Sequence, residues 1–421
     1  MDDILRELKE LEELVLKCMK CGTCQAHCPL YQKDLLEPTV ARGKIALIES
    51  VYEGRIEDAG KILKHLDYCI LCGRCKENCP SGVKTDEIFI KAKGVLRKID
   101  KLPNWGKYIL KIVMEKPELL AKVAPFMHIG MKFGSKKIKD DIFKPILGSF
   151  SERNVKLFAK KPFTKEFGGI HKCENEKMKV FFYPGCAANF LYPAWGKAII
   201  EVLNYHGVTV IVPDTNKCCG IPAATLGEME TYKKMVNTNL SEINEVDAQY
   251  VITCCPTCQY ALSEMGPKVA DLKPNKPFVD ILVFIDEVLG VKFNVTLSEK
   301  ISLHTPCHYK TDKKAKLPDM LKKNFPNADF ITLDNQNCCG FGGTFNLKKY
   351  KDSKAVSMPK AVEVKQKEVK KLFTPCPGCA MQLTDAVVAE GADVIVEHPI
   401  VFYAGELKKS GISKDKSEKN K

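Results

Sequence analysis

Residues 250–258 read YVITCCPTC and residues 371–379 read KLFTPCPGC. Each is a short apolar run ending in C-x2-C, the pattern of a buried strand that delivers two thiols at its carboxyl end. The surrounding sequence repeats with them. KVFFYPGC (179–186) and KISLHTPC (300–307) open the two copies, VTVIVP (208–213) and ADFITL (328–333) supply second strands, and NKCCG (216–220) and NCCGFGG (337–343) follow those strands. Cys186 and Cys307 are 121 residues apart, Cys218 and Cys338 are 120, and Cys255 with Cys376 and Cys258 with Cys379 are again 121. A repeat that long is a duplicated domain and not a solenoid. Strands alternating with helical segments predict an α/β fold with a largely parallel sheet in each copy, and in such sheets chemistry gathers at the carboxyl ends of the strands.

The three cysteine-bearing turns of a copy are therefore expected to converge on one point. Cys186, Cys218, Cys219, Cys255 and Cys258 form the first set, and Cys307, Cys338, Cys339, Cys376 and Cys379 the second. Tetrahedral zinc and an ordinary cubane each take four ligands, so five thiolates fit an expanded iron–sulfur centre. A four-thiolate cluster with a spare catalytic cysteine and a zinc site on a subset are the other readings of the same count.

Upstream, residues 18–29 read CMKCGTCQAHCP and residues 69–80 read CILCGRCKENCP. Two copies of C-x2-C-x2-C-x3-C-P form the iron–sulfur run of two-cluster ferredoxins, in which the fourth cysteine of each run ligates the other cluster. The ligand sets interleave on this reading: Cys18, Cys21, Cys24 and Cys79 hold one 4Fe-4S cluster, and Cys69, Cys72, Cys75 and Cys28 the second. Gly22 and Gly73 suit the tight backbone approach to sulfide. Zinc pairs also use C-x2-C but lack the trailing x3-C-P. Between the runs, ARGKIALIESVYEGR (41–55) and EDAGKILKHLDY (57–68) carry apolar residues at helical spacing, which predicts a helical ferredoxin unit. His27 and His65 read as hydrogen-bonded or solvated side chains and not as ligands.

The rest of the composition narrows the class. Hydrophobic residues make up 45% and charged residues 28% of the 421, which excludes a disordered or fibrous chain. Twenty cysteines in a chain this long are not disulfide staples. The N-terminus, MDDILRELKELEELVLK, is an amphipathic helix without the pattern of an export signal, and no window approaches a membrane span, so a cytoplasmic location is expected. The formal charge of +13 favours an acidic partner or an anionic membrane surface. Lys107, Lys111, Lys116, Lys122, Lys132, Lys136, Lys137 and Lys139 alternate with Ile109, Leu110, Ile112, Val113, Met114, Leu119, Leu120 and Phe126. This stretch reads as a solvated face over a buried one, or as a docking surface. No nucleic-acid motif accompanies the charge.

With its spacings C-x31-CC-x35-C-x2-C and C-x30-CC-x36-C-x2-C, the C-terminal half resembles the paired cysteine-rich CCG domains of the heterodisulfide reductase superfamily. The whole chain is similar to the D-type catalytic component of heterodisulfide reductase and to the iron–sulfur subunit of glycolate or lactate oxidase complexes. The resemblance implies an α+β multidomain protein. It would comprise a helical two-cluster ferredoxin domain (1–98), a helical connector (99–176), two duplicated α/β CCG domains (177–292 and 293–405) and a basic tail (406–421). It also implies two cubane clusters and one or two further, non-cubane 4Fe-4S clusters on the CCG cysteines. The implied function is that of the electron-transfer subunit of a 2-hydroxy-acid dehydrogenase, with an FAD-linked partner subunit and a quinone, disulfide or other acceptor. The alternative is a subunit that cleaves a CoM-S-S-CoB-type disulfide with a membrane cytochrome b as donor. Both allow a peripheral position on the inner face of the cell membrane. Cys173 and Cys254 fall outside every set, with Cys254 read as a buried small residue. His304 and His308 flank Cys307 as candidate proton carriers or sulfide hydrogen-bond donors. Gly340, Gly342 and Gly343 read as room for cluster packing and not as a dinucleotide loop.

Overall fold

The computed structural model describes residues 2–409 except 104, 105, 107, 109–111, 113, 149 and 310. Lys107, Lys111, Ile109, Leu110, Val113 and the tail from 410 onward lie outside the described residues.

The described residues before 135 are helical wherever they are regular, with main helices Ala41–Tyr52, Gly60–Asp67 and Thr85–Leu96. Their apolar faces bury Ile45, Ile48, Leu63, Leu66, Ile88 and Phe89. That core does not stop at the end of the ferredoxin unit. It runs on through Phe181, Tyr232, Met235 and Val251 of the first repeat. Two glycines bring the units together: a Cβ at Gly94 would lie 2.7 Å from Met229 Cγ, and one at Gly227 would lie 2.8 Å from the Lys93 carbonyl. Lys93 and Arg97 seal the contact by donating to the carbonyls of Thr225 (3.1 Å) and Leu226 (3.0 Å), and Arg97 also pairs with Asp67 at 2.9 Å. Hydrogen bonds from buried cations to backbone are worth more than neutral ones, so this seam is a fixed interface and not a flexible linker.

The connector read as helical contains the helix Pro117–Phe133 and then a three-stranded antiparallel sheet, β1 (Ser135–Lys139), β2 (Ile142–Pro145) and β3 (Val155–Lys156). Two local features override the helical reading. Asp140 takes a left-handed φ of 43° and turns the chain, and SKKIK and IFKP then pair as a hairpin. β4 (Gly169–His171), also within the connector, joins the first repeat's sheet as its antiparallel edge.

In the first repeat β5 (Met178–Tyr183), β6 (Val208–Val212), β7 (Tyr250–Thr253) and β8 (Phe278–Asp280) run parallel in the order β4-β6-β5-β7-β8. The second repeat is wholly parallel, β10-β9-β11-β12, from β9 (Lys300–Leu303), β10 (Asp329–Phe330), β11 (Lys371–Phe373) and β12 (Ile395–Glu397). ADFITL yields only two strand residues, although the Ile331 N–H still reaches the Ile301 carbonyl at 2.8 Å. The repeats share one core. The helices Pro193–Tyr205 and Pro399–Lys409 pack together, the Trp195 indole donates to Glu397, and Phe293 stacks on Tyr403 with ring centroids 4.5 Å apart. Each such ring contributes about 1.5–3 kcal/mol by burial, so the two sheets are held at a fixed angle. At the end of β8, Asp280 is buried and its Oδ1 accepts from the Leu282 N–H and the Tyr309 hydroxyl, both at 2.9 Å, while its Oδ2 is buried without a hydrogen bond among the described residues.

Candidate iron–sulfur sites

Every repeat cysteine except Cys173 and Cys254 sits at a turn beyond a strand end. β5 leads through Pro184 to Cys186 in the helix Gly185–Phe190, and β7 and β11 lead to Cys255 and Cys376, which cap the helices Pro256–Gln259 and Pro377–Ala389. Proline at the first helical position has no N–H to leave unpaired, so C-P-x-C starts a helix and aims its second thiol, Cys258 or Cys379, back at the turn. The paired cysteines depend on the glycine that follows them. Gly220 and Gly340 have φ of 88° and 87°, and a Cβ there would lie 2.7 Å from Tyr232 Cδ2 and 2.5 Å from the Ser353 carbonyl oxygen. We expect Gly340→Ala to cost about 1–3 kcal/mol and to lower the iron content of the purified protein, as read by thermal melting and iron analysis. An alanine variant with unchanged melting and unchanged iron would refute this.

Each copy's five thiols come together, and the two groups face each other across one cavity of about 190 Å³ lined by all ten. Within the first set Cys186 lies against Cys218, and Cys219 against Cys258. Within the second Cys307 lies against Cys338, and the sulfurs of Cys339 and Cys379 are 3.2 Å apart. Across the seam Cys255 touches Cys376. Eight of the ten are buried, Cys307 is half-buried and Cys186 is exposed. Burial alone pushes a thiol up. Three nevertheless fall well below the usual range because two neighbouring thiols donate to each: Cys219 from Cys218 and Cys258, Cys339 from Cys338 and Cys379, and Cys376 from Cys255 and Cys379. Closely packed soft donors of this kind suit iron–sulfur chemistry.

The N-terminal cysteines gather in two smaller cavities of about 30 Å³ each. Cys18, Cys21, Cys24 and Cys79 line one, and Cys28, Cys69, Cys72 and Cys75 the other. Cys75 borders both and takes a hydrogen bond with Thr85 at 3.1 Å. Cys72 also borders the large cavity, where it lies against Cys307 and Cys338. The four thiol groups therefore form a continuous file. Beside the second small cavity Lys44 is fully buried and donates to the Pro38 carbonyl at 3.0 Å. Burial pushes its ammonium down and the Cys69, Cys28 and Cys75 thiolates push it up.

The two halves of the large cavity differ in what surrounds them. His304 is buried against Cys339, and the ligand atoms of His304, Cys339 and Cys379 lie within 4.8 Å of one another. His308 makes hydrogen bonds with the Leu71 carbonyl (3.2 Å) and Thr257 (3.0 Å) and stacks on Tyr260, whose hydroxyl donates to Asp86 at 2.6 Å. Lys360 is buried among the second set's thiolates and donates to the Asn335 carbonyl at 2.6 Å. An offset of 121 puts Tyr183, Ala187 and Asn239 where the second repeat has His304, His308 and Lys360, so the second half alone carries imidazole and ammonium groups. Sequence reasoning found the two histidines and missed Lys44 and Lys360, which read as ordinary helical lysines. His27 lines the second small cavity, while Cys254 is wholly buried in the core and Cys173 lies by Thr209, both off the file.

The sequence that carries these cysteines matches two known domain families. The Cysteine-rich domain (CCG) matches residues 180–263 and 301–384, and the 4Fe-4S dicluster domain matches residues 14–83. The chain therefore carries two cysteine-rich CCG domains behind a 4Fe-4S dicluster domain, the make-up of the iron–sulfur proteins to which it is similar. It is 28% identical to the C component of the anaerobic glycerol-3-phosphate dehydrogenase of Escherichia coli, over 84% of this chain and 89% of that one. It is 23% identical to the probable glycolate oxidase iron-sulfur subunit of Bacillus subtilis, over 88% of each. It is also 27% identical to an iron-sulfur protein of Methanocaldococcus jannaschii over 87% of this chain, and spans 66% of that protein's length. Among the described residues no helix is long and apolar enough to cross a membrane.

Proposed function

We propose that this chain is the iron–sulfur subunit of a 2-hydroxy-acid dehydrogenase complex acting on glycolate or lactate, and that it carries electrons from an FAD-linked partner subunit to a quinone or another acceptor. The observation that carries the reading is the unbroken file of thiols from Cys21 through Cys75 and Cys72 to Cys376. Cys18, Cys21, Cys24 and Cys79 would hold one 4Fe-4S cubane, Cys28, Cys69, Cys72 and Cys75 a second, and the two five-thiol sets a non-cubane cluster each. When bound, such clusters take and give single electrons at potentials set by their surroundings. The protein's own part is to bury the thiols, exclude water and position Lys44 and Lys360 to offset negative charge. Thiols and apolar groups dominate the lining of the large cavity, and no lysine or arginine among its lining residues could hold a hydroxy-acid carboxylate, which supports substrate oxidation on the partner.

A heterodisulfide reductase reading has one observation in its favour: both five-thiol sets are complete and open on the same cavity, where a disulfide would meet both. The two readings separate in one set of assays on anaerobically prepared protein. Co-purification with an FAD protein that reduces the chain on addition of glycolate or lactate is the expected result. Oxidation of reduced viologen by coenzyme M–coenzyme B disulfide, without such a partner, would replace it by the second reading. Zinc without iron or acid-labile sulfide would overturn both.

A further inference from the structure

The helix Pro117–Phe133 turns its apolar side outward. Leu119, Val123, Phe126, Ile129 and Phe133 recur at the three- and four-residue spacing of one helical face, and all five are exposed, Phe126 by 74% and Phe133 by 82%. Only Ala124 of this helix is buried. The sequence alone favours the opposite arrangement, lysines outward over a buried apolar face. The patch continues into the neighbouring hairpin, where the Ile146 N–H donates to the Gly134 carbonyl at 3.0 Å. That bond sets Ile146 and Leu147, the latter 84% exposed, beside Phe133. Contiguous exposed apolar surface of this extent marks a docking site.

The rim says what docks. Lys116, Lys122, Lys132, Lys136, Lys137 and Lys144 are all exposed and form no ion pair with a described residue. Across residues 116–148 the acidic residues are only Glu118, Asp140 and Asp141, and Asp141 is already paired with Lys156 at 2.9 Å. An apolar ridge with a rim of one sign matches an anionic bilayer surface, into which such a helix sinks its apolar face to about 5–10 Å while its lysines meet the headgroups. A protein partner would have to supply a uniformly acidic collar around an apolar trough.

We infer that this face seats the protein on an anionic lipid bilayer, with Phe126, Phe133 and Leu147 inserted among the acyl chains. The inference deepens the functional reading and rests on it only in placing the chain beside an acceptor dissolved in the membrane. The test is flotation of the anaerobically prepared full chain with vesicles of equal parts phosphatidylcholine and phosphatidylglycerol, and with vesicles of phosphatidylcholine alone. The chain is expected to float with the mixed vesicles and to be released by high salt. The double variant Phe126→Ser/Phe133→Ser is expected to lower the bound fraction by about tenfold or more. The triple variant Lys132→Gln/Lys136→Gln/Lys137→Gln should lose binding to mixed vesicles and leave any binding to phosphatidylcholine unchanged. Absence of flotation with mixed vesicles, or parental flotation of either variant, overturns the inference. So does self-association or subunit binding that the serine variant abolishes while vesicles bind neither protein. Dithionite bleaching of cluster absorbance in the same samples reports the electron-transfer reading separately, and checks that the variants remain folded.

Discussion

Replacing Cys376 with serine is expected to strip iron from both halves of the large cavity while sparing any iron held by the N-terminal cysteines. Cys376 sits at the seam, where Cys255 and Cys379 both donate to its sulfur. Serine keeps its proton near neutral pH and offers a hard oxygen in place of a soft anion, so the second set loses a ligand outright. The first set is disturbed as well, because Cys255 loses the neighbour it packs against. Cys186→Ser, at the exposed end of the first set, should affect that set alone. Iron and acid-labile sulfide analysis and electron paramagnetic resonance separate the cases, and electron transfer through the Cys376 variant should fall by at least about 100-fold. Retention of every cavity signal in that variant would refute the shared-cavity arrangement. Loss of the signals from the N-terminal cysteines too would show that the cavity and the ferredoxin unit do not fold independently.

Asp280→Asn should flatten the dependence of stability on pH. Burial lifts the Asp280 carboxyl to about 7 against the downward pull of the hydrogen bonds from Leu282 and Tyr309. Its unfolded value is about 3.9. Between those values the folded chain holds a proton that the unfolded chain has released. The stabilisation is therefore complete below about pH 4 and is lost as pH rises through 7, a change on the order of 4 kcal/mol. Asparagine keeps an acceptor for the Leu282 N–H and the Tyr309 hydroxyl and removes the charge, at the cost of an amide facing the unpaired Oδ2 position. The variant should be more stable than its parent at about pH 8 by roughly 1–3 kcal/mol and less stable at about pH 4. Urea unfolding of both proteins across that range measures the difference, and parallel profiles would sink the prediction.

The sequence carried the strand ends well, because a thiol that must sit beyond a parallel strand is preceded by apolar residues and followed by glycine or proline. YVIT before Cys254 and KLF before Cys376 are legible for that reason. Which thiols meet across the duplication was not legible. Contact between Cys255 and Cys376 depends on how two sheets dock through Trp195, Phe293 and Tyr403, and no short-range pattern encodes that angle. The double position of Cys72 was hidden in the same way, since its motif specifies only the cubane. The hairpin at Asp140 was missed because lysine-rich segments look alike in helices and strands, and only the turn decides between them. The outward apolar face of Pro117–Phe133 has the same periodicity as a buried one, and period alone does not say which side faces the interior.

The closed seam between the repeats also constrains biogenesis. Cys255 and Cys376 are buried where the two sheets meet, and Cys72 reaches the same cavity from a third unit whose core is continuous with the first repeat. Once these parts have docked, no large donor protein reaches the innermost sulfurs. A donor protein is thus confined to the mouth of the cavity, where Cys186 is exposed, and iron and sulfide would have to pass inward from there as small species.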